Sequence, residues 1–110
     1  MTPTTLQASP RVSKAYIEDQ LNGLSPVDLL LKLYDVAIAA CRQGDSERVS
    51  RAMVELISAL NFDHREVAVG LFRIYNYCLT HAKRGRFDVV EPILIELRET
   101  WSQVSEATQS

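Results

Sequence analysis

The stretch Ser25–Arg42, SPVDLLLKLYDVAIAACR, decides the fold. Ser25 offers a hydroxyl at an N-cap, Pro26 suits the first helical position, and Asp28 lies near the positive end of the helix dipole. At 100° per residue, apolar side chains form two stripes. One stripe is Val27, Leu30, Leu31, Tyr34, Ala37, Ile38 and Cys41, and the other is Leu29, Leu33, Val36 and Ala40. Asp28, Lys32, Asp35, Ala39 and Arg42 share the remaining side. The apolar arc spans about 220°, roughly twice what a helix needs to cover one face of a small core. Either neighbouring helices surround this one, or part of the arc awaits a partner.

Downstream, Gly44 can close the helix in the left-handed region, and Asp45 or Ser46 can cap a second helix reaching about Asn61. Its apolar positions, Val49, Ala52, Met53, Leu56, Ile57, Ala59 and Leu60, recur at three and four. Asp63 and Glu66 have the spacing of a capping box for a third helix running to about Arg84. Val67, Ala68, Leu71, Ile74, Tyr75, Cys78 and Ala82 make its main stripe, and Val69, Phe72 and Leu79 a second. Gly70, inside it, fits a close helix crossing, a close-lying ligand or simple tolerance. A fourth helix starts around Asp88, with Pro92 in about its first turn and Val90, Ile93, Leu94, Leu97, Trp101 and Val104 facing inward. Short connections make successive helices antiparallel neighbours, so the chain is expected to be all-α, a compact antiparallel four-helix bundle over residues 24–104.

Upstream, residues 1–23 form a flexible segment rich in Thr, Ser and Pro near its start, and 105–110 a disordered tail. Residues 13–21 are amphipathic through Tyr16, Ile17 and Leu21, but too short to be a stable helix alone. They order only by docking on something.

With 110 residues the chain has room for one core. A net charge of −2 gives no electrostatic case for nucleic acid or an anionic membrane. No apolar run approaches the ~20 residues of a membrane span, and the N-terminus has no signal-like apolar core, so a cytoplasmic protein is expected. Cys41 and Cys78 form no C-x-x-C and fall on apolar stripes, the pattern of buried thiols. Lys83, Arg84 and Arg86 around Gly85 read as cations at a helix C-terminus rather than a nucleic-acid patch. No nucleotide-binding or hydrolase motif and no metal-ligand spacing is present, so neither an enzyme nor a cofactor is expected. His81-Ala82-Lys83-Arg84-Gly85 has the look of a histidine phosphotransfer site, but Arg86-Phe87-Asp88 reads as a helix stop and a new start where such a helix should continue.

Several segments, in order, resemble the flagellin-specific export chaperone family (FliS). They are Leu24-Ser25-Pro26 leading to Leu33-Tyr34-Asp35, Leu60-Asn61-Phe62, Leu71-Phe72-Arg73-Ile74-Tyr75-Asn76-Tyr77, and Leu97-Arg98-Glu99-Thr100-Trp101, with Tyr16 in the N-terminal segment. The first helical hairpin is shorter than in typical members, and Asp63-His64-Arg65 stands where a Gly-Gly pair is usual. The resemblance implies a cytoplasmic chaperone that binds the C-terminal segment of flagellin along an apolar groove. It would prevent early polymerisation and support delivery to the flagellar export gate, as a monomer or weak homodimer. Client-binding residues expected on that reading are Leu29, Leu30, Leu33, Tyr34, Val36, Ile74, Tyr75, Leu97 and Trp101, with Tyr16, Ile17 and Leu21 as an N-terminal lid over the empty groove. A helical adaptor for another secretion or signalling client is the alternative.

Overall fold

A computed structural model describes residues 26–109. These form α1 (Pro26–Arg42), α2 (Ser46–Ser58), α3 (Arg65–Lys83) and α4 (Phe87–Gln109), with no strand among them. Each helix packs on its sequence neighbour, and α1 closes the ring against α4, which gives an antiparallel four-helix bundle.

Two glycines build one end of it. Gly44, at φ +68°, donates its N–H to the Cys41 carbonyl (3.1 Å), while the Asp45 N–H reaches the Ala40 carbonyl (2.9 Å). Gly85, at φ +71°, repeats the arrangement, with Gly85 N–H on Ala82 and Arg86 N–H on His81. Both are Schellman stops, which satisfy carbonyls that the helix leaves unpaired and need a residue tolerant of positive φ. Asp45 then caps α2 by accepting the Arg48 N–H, and Ser46 Oγ donates to the Ala82 carbonyl (2.6 Å), tying the start of α2 to the end of α3.

The opposite end differs from the sequence expectation. α2 stops at Ser58 rather than near Asn61, because the Asn61 side chain accepts the Asp63 N–H and holds a turn that competes with further helix. With Asp63 used there, no capping box forms with Glu66; α3 starts at Arg65 after His64, which makes no side-chain cap. The Ser25 cap and the 13–21 piece lie outside the described residues. α4 begins at Phe87, so Pro92 falls in the second turn instead of the first, on an exposed face where the carbonyl it leaves unpaired can reach water. The helix continues past Val104 to Gln109, since Ser105-Glu106-Ala107-Thr108 contains no Gly or Pro to stop it.

The core is Tyr34, Ala37, Ile38, Ala40 and Cys41 of α1 with Val49, Ala52, Met53 and Leu56 of α2, Tyr75, Cys78 and Ala82 of α3, and Val90 and Leu94 of α4. Burial pushes both thiols up, Cys41 and Cys78 each from the ordinary 9.0 to about 11. At the bundle centre the hydroxyls of Tyr34 and Tyr75 hydrogen-bond at 2.6 Å, with ring centroids 6.4 Å apart. Trp101 of α4 packs against this core. Two ion pairs set α4 against α1: Arg42 with Glu91 (2.7 Å) and Arg98 with Asp35. Exposed pairs of this kind contribute about 1 kcal/mol or less each, so they fix register more than stability.

Candidate docking surfaces

The ion pairs show how the wide arc of α1 is spent. Asp35 and Arg42 mark its α4 flank. Leu29 and Val36 lie about 100–140° around the helix from them across the polar side, at the far edge of the apolar arc. Ala40 and Leu33, on the same stripe, are taken up by the core, whereas Leu29 stays 55% exposed and Val36 41%. Half of the second stripe therefore packs, and the other half faces solvent.

Apolar surface collects in two further places. The first is an end pocket of about 290 Å³ beside the α2–α3 turn, where the N-terminus of α1 enters the bundle. Val27 and Leu30 of α1, Leu56 and Leu60 around the end of α2, Val67 and Leu71 of α3, and Trp101 of α4 wall it, with Tyr75 at the base and His64 and Asn61 at its polar edge. The second is a side groove of about 500 Å³ between α3 and α4, lined by Ile74 and Tyr77 on one side and Ile93 and Leu97 on the other. Of the helix neighbours in the ring, α3 and α4 pack together least, which leaves the groove between them. Ile74 and Tyr77 are exposed there although both are large and apolar.

The expected client residues thus divide. Leu30, Tyr75 and Trp101 line the end pocket, Ile74 and Leu97 line the side groove, and Leu29 and Val36 lie on a separate flank. Leu33 is packed against the core. Tyr34 and Tyr75 are core residues rather than surface ones, at 0% and 1% exposure, because each hydroxyl finds its partner in the other. Tyr16, Ile17 and Leu21 lie outside the described residues. Residues outside the expected client set complete the groove: Tyr77 and Ile93, with Arg73, Glu96 and Thr100 at its rims. The signal for Tyr77 was the flank of α3 opposite the Phe72–Leu79 stripe, where Ile74 and Tyr77 are three apart.

Reactive chemistry is sparse on these surfaces. The His81 ring packs tilted against Tyr77 with ring centroids 4.3 Å apart, and its Nδ1 is buried with no hydrogen-bond partner among the described residues. α3 ends at Lys83, just past His81, and the chain turns at Gly85, so the helix does not continue as a phosphotransfer site would have it. Gly70 makes no close helix crossing, since a Cβ there would meet nothing within 4 Å. No group of three or more His, Cys, Asp or Glu side chains among the described residues could hold a metal ion, and no helix there is long and apolar enough to cross a membrane. In comparisons with known proteins, the chain matches no family model, no curated protein and no solved structure.

Proposed function

We propose that this chain is a chaperone for an amphipathic helical client, and that the client is the C-terminal segment of flagellin. The observation that carries the reading is the α3–α4 groove, an apolar trough between two helices that the bundle leaves unfilled. A trough of this shape accepts the apolar stripe of a further helix, read out at positions i, i+3 or i+4, and i+7. The choice of flagellin rests on the ordered sequence resemblance, including Leu71–Tyr77, which supplies the α3 wall of the groove. By covering an aggregation-prone client helix, the chaperone would hold it back from polymerising until it reaches the export gate in the cytoplasm.

Because the apolar patches are separate, a long client would visit them in turn rather than fill one continuous channel. Val27, near the start of α1, lines the end pocket, which supports the reading of Tyr16, Ile17 and Leu21 as a lid. An Ile74→Asp variant puts a charge on the groove wall at an exposed site, and Val54→Asp puts one on an exposed site that lines neither cavity. Binding of the flagellin segment should weaken at least about tenfold for Ile74→Asp and stay within about twofold for Val54→Asp. Equal affinities for the two variants would remove the groove from the account.

A further inference from the structure

Gly70 lies inside α3 and is exposed, at a place where only proline is a poorer helix former. Among the described residues nothing comes within 4 Å of where its Cβ would stand, so packing within the bundle gives no reason for a glycine. The surface around it has a period of its own. Val67, Gly70, Ile74, Tyr77 and His81 follow one another at three, four, three and four residues, the spacing of the a and d positions of a coiled coil. At 100° per residue these five fall within about 80° of one another, on a flank centred about 100° from the buried stripe of Ala68, Tyr75, Cys78 and Ala82. Val67, Ile74 and Tyr77 are exposed on that flank. Val67 belongs to the wall of the end pocket, and Ile74 and Tyr77 to the side groove. The seam therefore runs from one cavity to the other, with Gly70 between them.

One kind of surface matches such a seam, a further helix lying along α3 at a shallow angle of about 20°. Glycine at the central position leaves a hole that a large apolar side chain of that helix can fill. Charge narrows the partner further. Arg73 stands exposed at the solvent edge of the seam, with Glu96 on the opposite rim of the groove, and neither makes an ion pair among the described residues. An acidic side chain suits the α3 edge and a basic one the α4 edge. We propose that Val67, Gly70, Ile74 and Tyr77 form a coiled-coil docking seam, and that its occupant is a client helix of about four turns that sets a large apolar side chain over Gly70 and a carboxylate beside Arg73. This inference rests on the client reading and adds to it the register in which the client lies.

The test is titration calorimetry of the full chain against the C-terminal segment of flagellin, for the wild type, Gly70→Ala, Gly70→Leu, Arg73→Glu and Asn76→Leu, with a urea melt of each. Asn76 is an exposed residue of α3 that lines neither cavity. Both Gly70 variants should raise the urea midpoint of the free chain, Gly70→Ala by about 0.5–1 M. Both should nevertheless bind the segment more weakly, Gly70→Ala about threefold and Gly70→Leu at least about tenfold, while Asn76→Leu stays within about twofold. Arg73→Glu should raise the dissociation constant about fivefold. More stability with less binding is the signature of a glycine kept open for a partner. Gly70→Leu or Arg73→Glu binding as tightly as the wild type would overturn the proposal. If Gly70→Leu alone also sediments lighter than the wild type, the seam belongs to a second copy of the chain instead. A Gly70→Ala chain less stable than the wild type would assign the glycine to the fold and overturn it as well. A wild type that does not bind the segment removes the client reading and the seam with it, whereas a binding wild type with an unaffected Gly70→Leu removes the seam alone.

Discussion

Replacing Tyr34 by Phe removes one hydroxyl from the centre of the bundle. Its oxygen lies 2.6 Å from that of Tyr75, and both residues are buried. A buried hydrogen bond contributes about 0.5–1.5 kcal/mol net, and a hydroxyl stripped of its partner costs about 1–3 kcal/mol when nothing replaces it. The single variant leaves the buried Tyr75 hydroxyl without its partner and should lose about 1–2 kcal/mol. Tyr75→Phe should lose a similar amount. With both hydroxyls gone no oxygen is left unsatisfied, so the double variant should cost little more than either single, a coupling of about 1 kcal/mol. Urea unfolding followed by circular dichroism measures this. With m near 1–1.5 kcal/mol/M for a chain this size, each single substitution should lower the midpoint by about 1 M. Strictly additive losses, or single variants within about 0.3 kcal/mol of the wild type, would refute the reasoning.

The glycines give predictions of opposite sign. Gly44→Ala and Gly85→Ala force a Cβ into the left-handed region at φ +68° and +71° and should each destabilise by about 1 kcal/mol, whereas Gly70→Ala, mid-helix with open space around it, should stabilise by about as much in thermal or urea melts. The buried thiols should resist iodoacetamide in the native chain near about pH 8 and react once urea unfolds it; rapid native labelling of both would contradict their burial. Because folding raises both thiol values from 9.0 to about 11, the stability they add is complete below pH 9 and is lost as pH climbs from 9 through about 11, which pH-dependent urea midpoints will show. Deleting residues 1–22 should tighten client binding by removing a competitor, or make the free chain aggregate. If neither happens, the lid is wrong.

Most of the fold could be read from residue spacing. Apolar repeats at three and four placed all four helices, and Gly44 and Gly85 marked their stops because the left-handed turn leaves few other residues acceptable. The far end was harder, since Asn61 and Asp63 can serve either a turn or a cap and only the folded chain shows which wins. Surface assignments were the least legible. An apolar arc says that a flank can be covered, not which neighbour covers it, so Leu29 and Leu33 look alike in sequence yet differ in the bundle. A clue was present all the same. Asp35 and Arg42 are seven apart, negative then positive, as are Glu91 and Arg98, and this same order of signs is what an antiparallel pairing of α1 with α4 requires. Tyr34 and Tyr75 each sit on an apolar stripe, but nothing in their spacing shows that the two hydroxyls meet.

The central claim is that the unfilled apolar surface of this bundle exists to hold the end of flagellin. Titration calorimetry of the chain against the C-terminal segment of flagellin from the same organism, at several temperatures and with a scrambled peptide of equal composition as control, tests it most directly. The account predicts saturable binding near one to one with a negative heat-capacity change, the mark of apolar surface buried on a specific partner. A folded chain that gives no heat with the flagellin segment, or the same heat with the scrambled peptide, would contradict it.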